Sequence, residues 1–202
     1  MTLYIIAATC IVSIMAFSRP DLIEKLQFNA SKIVHQRQYY RLVSHGFVHA
    51  NWEHLIVNMI VLYSFGRAIE LYFGYNYGRM ANAYFLILYF GGMLVSNVYA
   101  LIKHRNDFYY NAVGASGAVS AVLFAAIFFD PWDMIYFFGV IPTPGIVFAV
   151  LYLVYSYYMS RKQKDNIAHD AHFLGALFGF IFPILLRPDN FHYFIDKLFQ
   201  VL

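Results

Sequence analysis

Asn111-Ala112-Val113-Gly114-Ala115-Ser116-Gly117-Ala118-Val119-Ser120 runs on through Ala121-Val122-Leu123-Phe124-Ala125-Ala126-Ile127-Phe128-Phe129 without one charged residue, and Asp130-Pro131 ends it. An uncharged stretch of this kind, opened by small residues, reads as a helix inside a membrane. On either side lie comparable apolar segments. With this one they cover about residues 2–17, 54–73, 80–101, 113–129, 143–159 and 167–186, each bounded by charged or Pro/Gly-containing stretches. The spacing therefore predicts an all-α membrane protein, a six-transmembrane-helix bundle forming a single domain over residues 1–202. The first, fourth and fifth segments fall short of a full span, which a thinned bilayer, helix ends extending into loops or shielding by neighbours would each permit.

Composition points the same way. The 202 residues are 61% hydrophobic, 20% aromatic and only 12% charged, a balance that an ordinary soluble domain does not reach. The net charge of +3 is small, and no basic run alternates with aromatics, so no nucleic-acid partner is expected. Cys10 is alone and reads as a small apolar filler. The N-terminal segment lacks a basic n-region and reads as a retained first helix. Residues 18–53 make a long connection, rich in both basic and apolar residues, that suits an interfacial, partly helical loop. The fourth-to-fifth connection is expected to run along the opposite membrane surface.

Polar residues on spanning helices cost free energy unless they are paired or face water, so those that persist mark candidate sites. His54 and Asn58, at i and i+4, share one helix face and can donate hydrogen bonds inward, or act as interhelical glue. Ser116 stands in the first turn of its helix, where unsatisfied amide N–H groups favour negative charge, between Gly114 and Gly117. Ser120, one turn deeper, reads as packing. His172, Gly175 and Gly179 fall at i, i+3 and i+7, so the imidazole projects from a face thin enough to approach the serine helix closely. Within hydrogen-bond reach, His172 would accept the Ser116 proton as the hydroxyl attacks a carbonyl and return it to the leaving amine. His54, Asn58 and the Ser116 amide would stabilise the oxyanion. Asp170, two positions from His172, faces elsewhere and suits the helix start. His49, His54, His169 and His172 could be drawn as a metal site, but there is no His-Glu-x-x-His, and no metal is expected.

Taken together, these motifs resemble the rhomboid family of intramembrane proteases. His49-Ala50-Asn51-Trp52-Glu53-His54-Leu55-Ile56-Val57-Asn58 is similar to the family's second-helix signature, and Gly66-Arg67-Ala68-Ile69-Glu70 to its Gly-x-x-x-Glu. Gly114-Ala115-Ser116-Gly117 is similar to its nucleophile motif and Ala171-His172-Phe173-Leu174-Gly175-Ala176-Leu177-Phe178-Gly179 to its histidine motif. The resemblance implies a rhomboid-like bundle, an intramembrane serine endopeptidase cutting transmembrane protein substrates within the lipid bilayer, and no cofactor. It places His54 and Asn58 at the oxyanion positions. Tyr40-Arg41 stands where Trp-Arg is typical, and Ser120 where some relatives carry a tyrosine that stacks on the catalytic imidazole.

The family orientation, in a plasma or inner membrane, turns the catalytic face outward. The basic residues oppose it: Arg19, Lys25, Lys32, Arg37, Arg41, Lys103, Arg105, Arg161, Lys162 and Lys164 lie on the catalytic side, and Arg67, Arg79, Arg187 and Lys197 on the other. Two rival functions remain at this level. One is a catalytically silent rhomboid-like binder of membrane segments; the other is a transporter or channel lined by His54, Asn58 and His172. Tyr152, Tyr155, Tyr157 and Tyr158 read as an interfacial belt.

Overall fold

The computed structural model describes residues 1–137, 140–162 and 168–199. Lys164 and Ile167, the latter expected to open the sixth segment, lie outside the described residues.

The chain is mostly helical. Helix α1 (Thr2–Phe17) is followed by the long connection, which folds into α2 (Pro20–Leu26), α3 (Ala30–Gln36), α4 (Arg41–Ser44) and a short 3-10 turn. Then come α5 (Trp52–Tyr77), α6 (Ala81–Ser96), α7 (Val98–Lys103), α8 (Ser116–Phe129), α9 (Gly145–Lys162), α10 (His169–Leu186) and α11 (Asn190–Phe199). Among the described residues, two helical stretches are long and apolar enough to cross a membrane: Trp52–Lys103, taken through its short breaks, and His169–Leu186. Thr2–Phe17 and Ser116–Phe129 are apolar but shorter.

Several boundaries differ from expectation, each for a local reason. The second segment begins at Trp52 because Asn51 caps it, its Oδ1 accepting from the His54 amide at 2.8 Å. The third breaks near Asn97, whose Nδ2 donates back to the Met93 carbonyl at 2.8 Å. The fourth begins at Ser116, not 113, because Gly114 holds φ at +109°, outside helical space. The chain is not all-α: Met134–Phe137 (β1) and Ile141–Pro144 (β2) pair antiparallel as a hairpin. The fifth helix therefore starts at Gly145, and Thr143 and Pro144, expected inside it, are strand. Helix α11, not anticipated, is tied to this end by Trp132 Nε1, which donates to the Leu198 carbonyl at 3.1 Å.

Helix α8 is the axis of the fold. Every residue from Gly117 to Phe129 is buried, enclosed by α5, α6, α9 and α10. The closest approach is to α10. A Cβ on Gly175 would run into the Gly117 backbone, and one on Gly179 into that of Ala121, so only glycine admits this separation. On the outer side, Gly66 leaves room for the Thr2 side chain, and Glu70 accepts from the Thr2 amide at 2.9 Å and from Arg67 at 2.8 Å, seating α1 against α5.

The long connection is built as a clamp. Arg41, buried, donates to Gln38 Oε1 at 2.6 Å and to the Glu24 and Gln27 carbonyls at 2.8 and 2.7 Å. Phe28 and Ala112 exchange backbone hydrogen bonds of 2.9 and 3.1 Å. Asn29 caps α3 and donates to the Phe108 and Tyr110 carbonyls at 3.0 and 3.2 Å. Residues 108–112, which lead into Ser116, are thus fastened to the first connection.

Candidate active site

The turn before α8 is held from three directions. The Gly114 amide donates to the His45 carbonyl at 2.9 Å, and the Ala115 amide to His49 Nε2 at 3.4 Å. His54 lies against Gly114 so closely that a Cβ there would strike its ring. His49 Nδ1 meets Ser13 Oγ at 2.9 Å, and Ser13 in turn donates to the Phe47 carbonyl at 2.9 Å. This chain requires the proton of neutral His49 on Nδ1, leaving Nε2 free to accept from Ala115. Desolvation, reinforced by His54 and His45, pushes His49 down to about 3. Burial likewise lowers His45 to about 4, opposed by hydrogen bonds to backbone at Leu42 and Gly114. Both rings therefore remain neutral hydrogen-bonding parts at physiological pH.

Ser116, first residue of α8, and His172, one turn into α10, come together: Ser116 Oγ lies 2.7 Å from His172 Nε2. The approach follows directly from Gly175 and Gly179, which set the helix separation one and two turns beyond the imidazole. At that distance an imidazole with a free Nε2 lone pair accepts the hydroxyl proton, the arrangement that activates an alcohol for attack on a carbonyl. Beside Ser116 is a cavity of about 20 Å³ lined by His45, Ser96, Asn97, Gly114, Gly117 and Ala171, polar enough and large enough for about one water.

His54 and Asn58 stand beside this turn on α5. Asn58 is buried, and one of its amide hydrogens is turned back along its own helix to the His54 carbonyl at 2.8 Å. The His54 ring packs edge to face on His49, with centroids 4.9 Å apart. Asp170 lies in the first turn of α10, as anticipated. Its charge adds to burial in raising Tyr110 to about 12. His169 is buried beside Tyr155 and His172, on a different element from His49 and His54.

Three participants escaped the sequence reading of the site. His49 pins the Ala115 amide, although nothing in its motif separates that task from the others. Asn97 sits 3.1 Å from His45 Nε2, and its only sequence signal is an amide in an apolar run. Tyr152, grouped with the interfacial tyrosines, instead faces inward: its hydroxyl lies 2.6 Å from Ser120 Oγ, and its ring overlies His172 with centroids 6.4 Å apart. The signal was available, since Gly145, Ala149, Tyr152 and Ser156 form a stripe whose small members are all buried.

A closely packed helical protein with largely apolar helices and a hydroxyl–imidazole pair at the junction of two of them defines a class: a membrane protein carrying a serine–histidine site. The particular family follows from comparison. The Rhomboid domain matches residues 36–189, and the chain belongs to the rhomboid family, whose members are embedded in membranes. It is 28% identical over 169 residues to RHOMBOID-like protein 12, mitochondrial, of Arabidopsis thaliana, covering 76% of this chain and 48% of that one. It is 31% identical over 166 residues to RHOMBOID-like protein 1 of the same plant, covering 80% and 38%. To Rhomboid protease GluP of Bacillus subtilis it is 25% identical over 149 residues, covering 74% and 27%. The chain spans about half the length, or less, of these relatives.

Proposed function

We propose that this protein is an intramembrane serine endopeptidase that cleaves transmembrane protein substrates. The observation that carries the reading is the 2.7 Å approach of Ser116 Oγ to His172 Nε2. Ser116 attacks the scissile carbonyl while His172 takes its proton; His172 then protonates the leaving amine, and water hydrolyses the resulting ester by the reverse transfers. The Ser116 amide, in the first turn of α8, supplies one oxyanion donor. His54 and the second Asn58 amide hydrogen supply the others. Family membership and a protease among the relatives support the same chemistry.

In this reading all 202 residues act as one unit, with α1, α5, α6, α8, α9 and α10 crossing the bilayer and a substrate helix entering beside α9. The catalytic face opens outward from a plasma or inner membrane. One of the opposing charges carries less weight than its count suggests, since Arg41 is buried on backbone carbonyls and takes no part in a free juxtamembrane field.

The test is cleavage of a model transmembrane substrate by protein reconstituted in liposomes, with fluorophosphonate labelling of Ser116. Wild type cleaves and is labelled, whereas folded Ser116→Ala and His172→Ala do neither. Wild type that binds the substrate but never reacts would identify a silent binder, and cleavage by Ser116→Ala would remove the nucleophile.

A further inference from the structure

The geometry points to Tyr152 on α9 as a positioning residue for His172, an aromatic wall anchored on Ser120 that holds the imidazole toward Ser116. This inference rests on the serine–histidine reading above and adds a part to it. The two rings lie with their planes 27° apart and centroids at 6.4 Å, inside the range of offset stacking. The tyrosine is itself immobilised. Its hydroxyl shares a 2.6 Å hydrogen bond with buried Ser120 on α8, while Phe124 packs against it at 5.4 Å and Phe148 at 5.8 Å.

The neighbouring tyrosines give the contrast that decides against a membrane-anchoring role. Tyr155, Tyr157 and Tyr158 are 54%, 52% and 52% exposed, as side chains facing lipid or its interface should be. Tyr152 is turned the other way, its polar end satisfied within the protein by a serine one helical turn below Ser116. Stacking needs no particular protonation state of its partner, so the wall serves the imidazole both before and after it takes the proton. It limits swing of the ring, and a base displaced by a fraction of an ångström transfers protons poorly. Because the wall belongs to α9 and the dyad to α8 and α10, the seating of α9 enters the geometry of the reaction.

The proposal is tested with Tyr152→Leu, Tyr152→Phe and Tyr158→Leu in reconstituted full-length protein, measuring kcat and KM on one transmembrane substrate and the rate of fluorophosphonate labelling, each per folded molecule. Tyr152→Leu is expected to lower kcat and labelling about tenfold, a part of what a general base contributes, with KM nearly unchanged. Tyr152→Phe keeps the ring and stays within about threefold of wild type, the loss of one neutral hydrogen bond being modest. Tyr158→Leu, an outward substitution on the same helix, leaves all three values alone. Wild-type kcat and labelling in Tyr152→Leu would overturn the inference. So would a loss confined to KM, or a Tyr152→Phe defect as large as that of Tyr152→Leu. Wild type that is never labelled would instead sink the underlying serine–histidine reading.

Discussion

Replacing Gly175 by alanine adds a single methyl group one turn from His172, and its consequence can be worked from the contact it meets. The new Cβ would sit 2.9 Å from the Gly117 carbonyl carbon and 3.1 Å from its Cα, with the carbonyl oxygen nearer still. Carbon atoms rest at about 3.5–4.0 Å, so α8 and α10 must part by roughly 0.5–1 Å. That displacement separates the two helices that carry Ser116 and His172. A 2.7 Å hydrogen bond stretched by this amount passes beyond about 3.2 Å, the end of the normal range. Misplacement of reacting groups by about 1 Å costs on the order of a hundredfold in rate, and overpacking costs about 1–3 kcal/mol in stability. Gly74→Ala is the matched control, because nothing lies within 4 Å of a Cβ there and alanine is the better helix former. Fluorophosphonate labelling in liposomes, read beside thermal unfolding, should show Gly175→Ala reacting roughly a hundred times more slowly per folded molecule, with Gly74→Ala unchanged. Equal labelling by the two variants would refute the claim that this glycine sets the dyad distance.

Further consequences are accessible to simpler measurements. Asn29→Ala removes the cap of α3 and the bonds to the Phe108 and Tyr110 carbonyls, and should cost about 1–3 kcal/mol in chemical unfolding while slowing labelling of Ser116. Arg41→Lys keeps the charge but cannot reproduce a planar fork spread over three acceptors, so a similar loss is expected, seen first as faster proteolysis of residues 18–50. Acid should destabilise the protein through His45 and His49. Their folded pKa values, about 4 and about 3, lie below the unfolded value near 6.5, so the unfolded chain takes up protons first. Stability from these two groups is full above about pH 6.5 and declines as pH falls toward 4 and then 3. A thermal midpoint flat from pH 7 to pH 4 would contradict the buried, neutral state of both rings.

The approach of Ser116 to His172 was legible in the sequence, because close helix packing leaves a local signature. Gly175 and Gly179 at their spacing announce a thin face, and a serine between glycines announces a helix start that can meet it. What stayed hidden depends on tertiary partners. Asn97 ends α6 by bonding its own backbone, which hydropathy alone does not register. The β1–β2 hairpin replaces the expected helix start with Ile141-Pro142-Thr143-Pro144, where each proline pushes the residue before it, Ile141 and Thr143, out of helical space into extended backbone. Tyr152 was grouped with Tyr155, Tyr157 and Tyr158, which stand nearer the end of the segment and suit a membrane interface; the buried Ala149 and Ser156 on its own face distinguish the inward position.

The enclosure of α8 has a consequence for how the protein meets membranes of different thickness. Fourteen residues rise about 21 Å, well short of a hydrocarbon layer of about 30 Å. For a helix facing acyl chains this mismatch would demand tilt or local thinning. Helix α8 is buried in the protein from Gly117 to Phe129, so in the proposed spanning arrangement any such adjustment falls on the helices around it, α5 with its 26 residues among them. The depth at which Ser116 stands is accordingly a property of the protein's own packing, and should stay the same when the surrounding bilayer swells or shrinks.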